Sequence, residues 1–224
     1  MNKKLKIGDI FYLKIENEDL YVFGRVLFDV NSQFNKTVKK TELSEEYFPI
    51  LAGFYQGYQL VEMYTGIYEN INDFTESKII IPRVLITSLN NSKYNSLEFG
   101  KLKNVHVDYT KVEFPENLTY GMDGAILSRG ELNLKTSLQE KQFKDLDYQI
   151  SSCVPRILLH ATLDFQKRRD LIPQEVIRPH YLIKNDLYYN KELRAAVYDN
   201  LNLDPNKSYY ELPKEMGFDL ERFY

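Results

Sequence analysis

The chain has 224 residues, of which 43% are hydrophobic, and its formal net charge is −3. This length suits one large domain or two small ones, and the apolar content is sufficient for a packed core. Because no third of the chain is basic, the composition argues against a protein that binds nucleic acid by neutralising its backbone.

The cysteine content and the start of the chain indicate the compartment. A single cysteine, Cys153, excludes an intramolecular disulfide and fits a reducing environment. The first residues pass directly into an alternating strand, without the apolar run and cleavage site of a signal peptide. No stretch approaches the roughly 20 apolar residues of a membrane span. We therefore expect a cytoplasmic protein with no membrane partner.

Two segments near the start predict a β-hairpin. Residues 7–15 and 20–27 are rich in Ile, Val, Phe and Tyr, and they flank the polar turn 16–19. A turn of two or of four residues gives the same register, in which paired residue numbers sum to 35. Alternation then predicts a core face made of Phe11, Leu13, Ile15, Leu20, Val22, Gly24 and Val26.

Gly24 is the exception on this apolar face, and it falls opposite Phe11 in the predicted register. Glycine weakens a strand unless the space beside it is needed. One interpretation is that the Phe11 ring lies over the missing side chain. The other is that the strand has a β-bulge at Gly24.

The second face of the hairpin is aromatic rather than purely polar. It consists of Ile10, Tyr12, Lys14, Tyr21, Phe23 and Arg25. Either a later segment of the chain covers this face, for which the helical last third is the obvious choice, or it binds a partner. The partner-binding candidates are Tyr12, Phe23 and Arg25, or the acidic middle third of the chain if these are covered.

The middle of the chain continues as short strands. We predict strands over 58–68, 79–87 and 102–109, a turn-rich segment over 115–124, and a hairpin around Arg129-Gly130. Pro82 cannot donate to a ladder, so the strand 79–87 must lie at an edge or be bulged there.

From about Asp145 the pattern becomes helical. Apolar spacing predicts helices over 150–168, with Pro155 in the first turn, and over 190–201. Ser208 and Glu211 form a capping-box pattern for a third, short helix. The fold class is therefore α+β: an N-terminal antiparallel, strongly bent sheet or SH3-like half-barrel, followed by a helical C-terminal region packed on it. We expect a β-rich domain over 1–145 and a helical extension over 146–224.

Few residues are candidates for a catalytic, metal-binding or phosphate-binding site. The histidines 106, 160 and 180 are far apart in sequence, and Cys153 has no CxxC partner, so no metal site is predicted. His160 and Asp164 share a helical face, which favours a local hydrogen bond over catalysis. The basic run 167–169 suits a helix end better than a phosphate site. We expect no catalytic residue and no cofactor.

Two regions together resemble a known family. Ile7-Gly8-Asp9-Ile10-Phe11, followed by residues 21–27 (YVFGRVL), resembles the opening of the immunity protein 26 family of bacterial polymorphic toxin systems. The stretches 191–194 (KELR), 203–212 (LDPNKSYYEL) and 217–224 (GFDLERFY) look like the C-terminal extension of its longer members. We expect a structural role for the motif residues Gly8, Asp9, Phe11 and Gly24.

The resemblance implies a binding protein rather than an enzyme. Such a protein would neutralise a cognate bacterial toxin by steric occlusion, with no nucleic acid or cofactor involved. Two alternatives stay open from the residues themselves. One is a small hydrolase that uses His160 or His106, and the other is a regulatory barrel that binds a peptide or nucleic acid.

Overall fold

The structure of the protein is a computed structural model. It describes residues 4–39, 57–89, 97–121, 124–138, 152–176, 182 and 185–224. Within these ranges, no helix is long and apolar enough to cross a membrane.

Among the described residues, strands come first along the chain and the longer helices follow, which confirms the α+β class. The strands are β1 (Asp9–Lys14), β2 (Tyr21–Asp29), β3 (Tyr58–Tyr64), β4 (Ile79–Thr87), β5 (Phe99–Asn104), β6 (Glu116–Gly121), β7 (Gly124–Arg129), β8 (Leu132–Lys135) and β9 (Ser152–Cys153). The α-helices are α1 (Asn35–Thr37), α2 (Pro155–Phe165), α3 (Lys191–Asn200) and α4 (Glu211–Glu215). Single turns of 3₁₀-helix cover Ile71–Asp73, Tyr109–Lys111, Arg169–Leu171, Leu187–Tyr189 and Leu220–Phe223, and a π-helical turn covers Val30–Phe34.

The chain forms two compact units, and each unit is assembled from three separate stretches. The first unit comprises Met1–Asp29, Gly57–Val107 and Ser152–Tyr181, and the second comprises Val30–Gln56, Asp108–Ser151 and Leu182–Tyr224. The predicted boundary between 145 and 146 does not coincide with this division, because each unit takes residues from both sides of it.

The first unit contains a mainly antiparallel sheet in the order β5-β1-β2-β3-β4-β9. Its short outer strand β9 runs parallel to its neighbour, β4. Opposite Pro82 the pairing shifts, since Val61 pairs with Val84 but Met63 pairs with Ile81. The proline therefore lies at an irregularity of the ladder, as its missing N–H donor requires.

The hairpin β1–β2 has the predicted register, with Ile10 opposite Arg25 and Phe11 opposite Gly24. The pairing is continuous at Gly24, so the bulge interpretation is wrong there. A Cβ added at Gly24 would lie 2.6 Å from Phe11 Cζ and 2.5 Å from Met63 Sδ. The glycine therefore makes room for the Phe11 ring, as the first interpretation states.

The second face of the hairpin is covered by the segment that follows β3. Phe23 stacks on Phe74 with ring centroids 4.3 Å apart and meets Tyr68 edge-on at 5.2 Å. Phe23 is fully buried in this cluster, together with Ile10. A later segment thus covers this face, but the covering segment lies near residue 70 and not in the helical last third.

Helix α2 belongs to the first unit, where it contacts β4. Pro155 is its first residue and Val154 its N-cap, because proline fits a helix start, where the N–H has no partner. Ser152 and Cys153, predicted as helix, instead form β9, and the first two residues of the predicted helix, 150 and 151, lie outside the described residues. Packing of the helical region on the N-terminal sheet therefore holds for α2, whereas residues 182–224 belong to the second unit.

The second unit is built around the antiparallel sheet β6-β7-β8. The predicted hairpin around Arg129-Gly130 is confirmed, with Arg129 opposite Leu132. The turn-rich prediction for 115–124 is wrong, since Glu116–Gly121 is strand β6, whose pairing with β7 outweighs its weak local propensity. The core of this unit joins the sheet to α3 and α4 through Leu118, Ala125, Leu127, Leu132, Leu187, Val197, Tyr198 and Leu212.

A buried charge network holds β6 and β7 to α3. Glu116 is fully buried and accepts two hydrogen bonds from Arg194, at 2.6 and 2.8 Å, and one from the Tyr198 hydroxyl at 2.9 Å. Arg129 donates to the Tyr198 hydroxyl at 3.1 Å and pairs with Glu113 at 2.5 Å. Burial raises the pKa of Tyr198 to about 12, so its hydroxyl keeps its proton and donates to Glu116.

The C-terminal stretches that carry the resemblance complete this network. Arg194 also donates to the carbonyl of Pro205 at 2.7 Å, and Arg129 donates to the carbonyl of Lys207 at 3.2 Å. The Tyr209 hydroxyl accepts from the backbone N–H of Glu131 at 2.8 Å. The predicted capping box is present, since Glu211 N donates to Ser208 Oγ at 3.2 Å. These stretches are therefore part of the second unit, and Tyr209 and Leu212 are buried in it.

Candidate functional site

A groove of about 1040 Å³ opens on the first unit at the tip of the β1–β2 hairpin. Its walls are the hairpin turn, the residues just before β5, one face of α2 and the chain after the Arg169–Leu171 turn. Two basic side chains of the described residues, Lys14 and Arg156, line it. They are outnumbered by six acidic ones, which are Glu16, Glu18, Asp19, Glu98, Asp170 and Glu175. We call it the acidic groove.

The hairpin turn places several of these carboxylates together. Ile15 N donates to the carbonyl of Leu20 at 2.8 Å and closes a four-residue loop. Asn17 adopts φ 63°, a left-handed conformation that asparagine tolerates better than most residues. Asp19 pairs with Lys14 at 2.8 Å, and this hydrogen bond lowers the pKa of the Asp19 carboxyl. The short loop thus fixes its acidic side chains at one end of the groove.

Glu16 connects the hairpin turn to α2. Arg156 Nη2 lies 2.7 Å from one Glu16 oxygen, and His160 Nε2 lies 3.1 Å from the other. Arg156 and His160 are four residues apart and therefore share one helical face. The His160 side chain is 6% exposed and that of Glu16 is 21% exposed. This Glu16 ion-pair cluster fixes the position of α2 against the hairpin and shapes the wall of the groove.

Three other carboxylates of the groove are less compensated. Glu18 and Glu175 form no ion pair with another residue that the structure describes. Glu98 lies 3.8 Å from Lys14, which is already bound to Asp19. All three side chains belong to exposed residues on different walls. Among the described lining residues, acidic side chains therefore outnumber the basic ones, and three of the carboxylates are not neutralised by them.

The far wall of the groove is partly apolar. Leu171, Ile172 and Val176 line it and are half-buried, while Ile15 and Leu97 are buried beneath it. An apolar wall beside a carboxylate rim suits side chains with an aliphatic stem and a charged end. A bound metal ion is a poorer fit. In the described ranges there is no group of three or more His, Cys, Asp or Glu side chains that could hold one.

The three sequence-predicted partner residues lie outside this groove. Phe23 is fully buried, so it is not accessible to a partner. Arg25 donates to Glu62 at 2.8 Å, and burial raises the pKa of Glu62 even though Arg25 opposes the shift. Tyr12 is half-buried, and its ring occupies the space beside Gly100, where a Cβ would lie 2.4 Å from the Tyr12 hydroxyl. These three residues pack or form hydrogen bonds within the sheet of the first unit.

The motif residues also have structural positions. Asp9 is buried and accepts from Asn104 at 2.7 Å and from the Lys6 backbone at 2.9 Å, and it pairs with Lys101 at 2.6 Å. Burial acts to raise the pKa of Asp9, but these partners outweigh burial and lower it. Gly8 has φ +81°. A Cβ there would lie 2.4 Å from the backbone oxygen of Val105, the residue that directly follows β5. The motif joins β1 to β5.

The other chemical candidates have structural explanations. Cys153 is buried, which raises the pKa of its thiol to about 12 and removes its nucleophilicity at neutral pH. Arg168 pairs with Asp170, and Arg169 pairs with Asp164. The predicted local bond between His160 and Asp164 is therefore replaced by His160–Glu16 and Arg169–Asp164. His106 is exposed.

Comparison with protein-family models, with curated proteins and with solved structures found no match for this chain. The site is thus assigned from geometry alone. Sequence reasoning identified the turn 16–19 but not its role. The available signal was three carboxylates in four residues, which is more than a tight turn requires.

Proposed function

We propose that the protein is a cytoplasmic immunity protein that binds a cognate bacterial toxin and blocks it by steric occlusion. The observation that supports this proposal best is the acidic groove, an open concave surface in which Glu18 and Glu175 form no ion pair with another residue that the structure describes. The resemblance of residues 7–11 and 21–27 to the immunity protein 26 family supports it independently. In this chain the two segments form adjacent strands whose connecting turn is a wall of the groove.

Steric occlusion requires a rigid surface rather than reactive groups. A stable complex buries about 1,200–2,000 Å² in total, shared between the two partners. The hairpin tip, α2 and the following turn offer such a surface, because the Glu16 ion-pair cluster holds them together. A toxin whose active site faces this surface would lose access to its own substrate.

The test is binding and rescue with the toxin encoded beside this gene. Cells that make the toxin should survive when this protein is co-expressed, and the purified proteins should form a complex in a pull-down. A catalytically dead toxin variant gives the matched control for toxicity. Absence of both rescue and complex formation would reject the proposal.

A hydrolase is the one alternative that a specific observation favours. His160 lines the groove, and Glu16 lies within hydrogen-bonding distance, as in a general base with an orienting carboxylate. The described residues that line the groove include no Ser, Thr or Cys, so the nucleophile would be water. Hydrolysis of ester or phosphoester probes that disappears in His160→Asn would favour this alternative.

A further inference from the structure

We propose that the acidic groove receives a lysine- and arginine-rich segment of the partner protein. This inference rests on the proposed function, because it specifies which part of a toxin the groove would cover. It commits to a cationic polypeptide as the occupant. The argument has three steps, which concern charge, shape and the chemistry of the walls.

The first step is the distribution of charge. Six acidic and two basic side chains line the groove, whereas the whole chain carries 32 acidic and 29 basic residues. The described lining residues carry a formal excess of four negative charges, or three when Arg168, which pairs with Asp170, is counted with them, against a net charge of −3 for the whole chain. Such a cleft attracts cations and speeds the association of a cationic partner.

The second step is the position of the uncompensated carboxylates. Glu18 lies in the hairpin turn, Glu98 directly before β5, and Glu175 after the Arg169–Leu171 turn. They occur on three separate elements around one opening. A single point charge cannot pair with all three, whereas successive basic side chains of one segment can.

The third step is the apolar wall formed by Leu171, Ile172 and Val176. Lysine and arginine bury their aliphatic stems along such surfaces and keep their charged ends at the polar rim. Small inorganic cations gain nothing from this wall. The described residues also lack a three-ligand metal group. The combination therefore favours a basic peptide segment over a metal ion.

The first experiment uses a labelled nona-arginine peptide and its neutral isostere, nona-citrulline. Fluorescence anisotropy at low and at physiological salt should show binding of the arginine peptide only. The variant E18Q/E98Q/E175Q should weaken binding about tenfold, since a typical exposed ion pair contributes a factor of about two and three such factors multiply. The control variant E69Q/E192Q/D199N removes the same number of exposed carboxylates outside the groove and should bind like wild type. Equal losses in both variants, or no binding by wild type, would overturn the inference.

The second experiment separates this inference from the proposed function. The same two variants are tested against the neighbouring toxin in the pull-down and rescue assays. If wild type and the groove variant both bind and protect equally, the inference fails while the proposed function stands. If wild type does not bind the toxin, the proposed function fails, and the peptide titration alone decides whether the groove selects basic segments. All three groove residues are exposed, so the substitutions should leave the circular dichroism spectrum unchanged.

Discussion

The carboxylate of Glu116 should be the most sensitive single group for the stability of the second unit. It is fully buried and accepts three hydrogen bonds, two from Arg194 and one from Tyr198. Glu116→Gln removes the charge and turns an NH₂ group toward a guanidinium. Breaking one partner of a buried ion pair costs about 3–5 kcal/mol, because the remaining charge stays buried. We expect a loss near the lower limit, about 3 kcal/mol, since Gln keeps one acceptor.

Urea unfolding followed by tyrosine fluorescence suits this protein, which has 18 tyrosines and no tryptophan. Hydrogen exchange of peptides from 116–135 then localises the effect to the sheet β6-β7-β8. Glu192→Gln is the control, because Glu192 is an exposed carboxylate in the first turn of α3. Its loss should be below about 1 kcal/mol, the limit for a surface charge near a helix start.

A double-mutant cycle with Arg194→Gln tests the cause. If the network acts as a unit, the double variant should be less destabilised than the sum of the single variants by about 1–3 kcal/mol. An additive double variant, or a Glu116→Gln variant that unfolds like wild type, would refute the view that these charges depend on each other.

Three further predictions concern the motif residues and the chain ends. Asp9→Asn should destabilise the protein by about 2 kcal/mol at pH 7. The folded-state pKa of Asp9 lies below 3.8, so its contribution is present above that pH and is lost as the pH falls through the folded value. If the unfolding free energies of wild type and Asp9→Asn differ by the same amount at every pH down to the acid range, this prediction is contradicted. Gly24→Ala should cost about 1–3 kcal/mol, because the added Cβ meets Phe11, Met63 and the Glu62 carbonyl, and an unchanged Tm would be inconsistent with it. Truncation after residue 181 should abolish exchange protection in 116–135, since Leu187, Val197 and Leu212 leave the core, and retained protection would disprove the dependence.

Local pattern predicted the hairpin in detail. The register of β1 and β2 and the pairing of Phe11 with Gly24 follow from alternation and a short turn, which are properties of adjacent residues. The place of Pro155 in the first turn of α2 and the hairpin at Gly130 were predictable for the same reason, although α2 begins later than expected. Each of these features depends on a few neighbouring side chains.

Other elements depended on distant residues. Strand β6 has a turn-like sequence, and it is a strand because β7 pairs with it and a buried network anchors Glu116. We expected the helical tail to cover the second hairpin face, but Tyr68 and Phe74, which lie much closer along the chain, pack against Phe23 there. The hydrophobic pattern of a strand indicates that one of its faces is buried, but it does not indicate which segment of the chain covers that face.

The acidic groove shows the same limit for the site. Glu16 lies 144 residues before His160, and no sequence period connects them. The partner candidates Tyr12, Phe23 and Arg25 were chosen for their residue types, whereas accessibility and pairing decide which side chains meet a partner.

The sequence by itself determined the α+β class, the central hairpin with its register, and the placement of three carboxylates in one turn. Those features arise from backbone alternation, turn chemistry and local propensity, which act over a few residues. Only the tertiary structure decided that the chain divides into two interleaved units, that the tail completes the second of them, and that Arg156 and His160 bind Glu16. These outcomes depend on long-range packing and on the pairing of charges. The order of residues along the chain does not show which distant residues come close together in space.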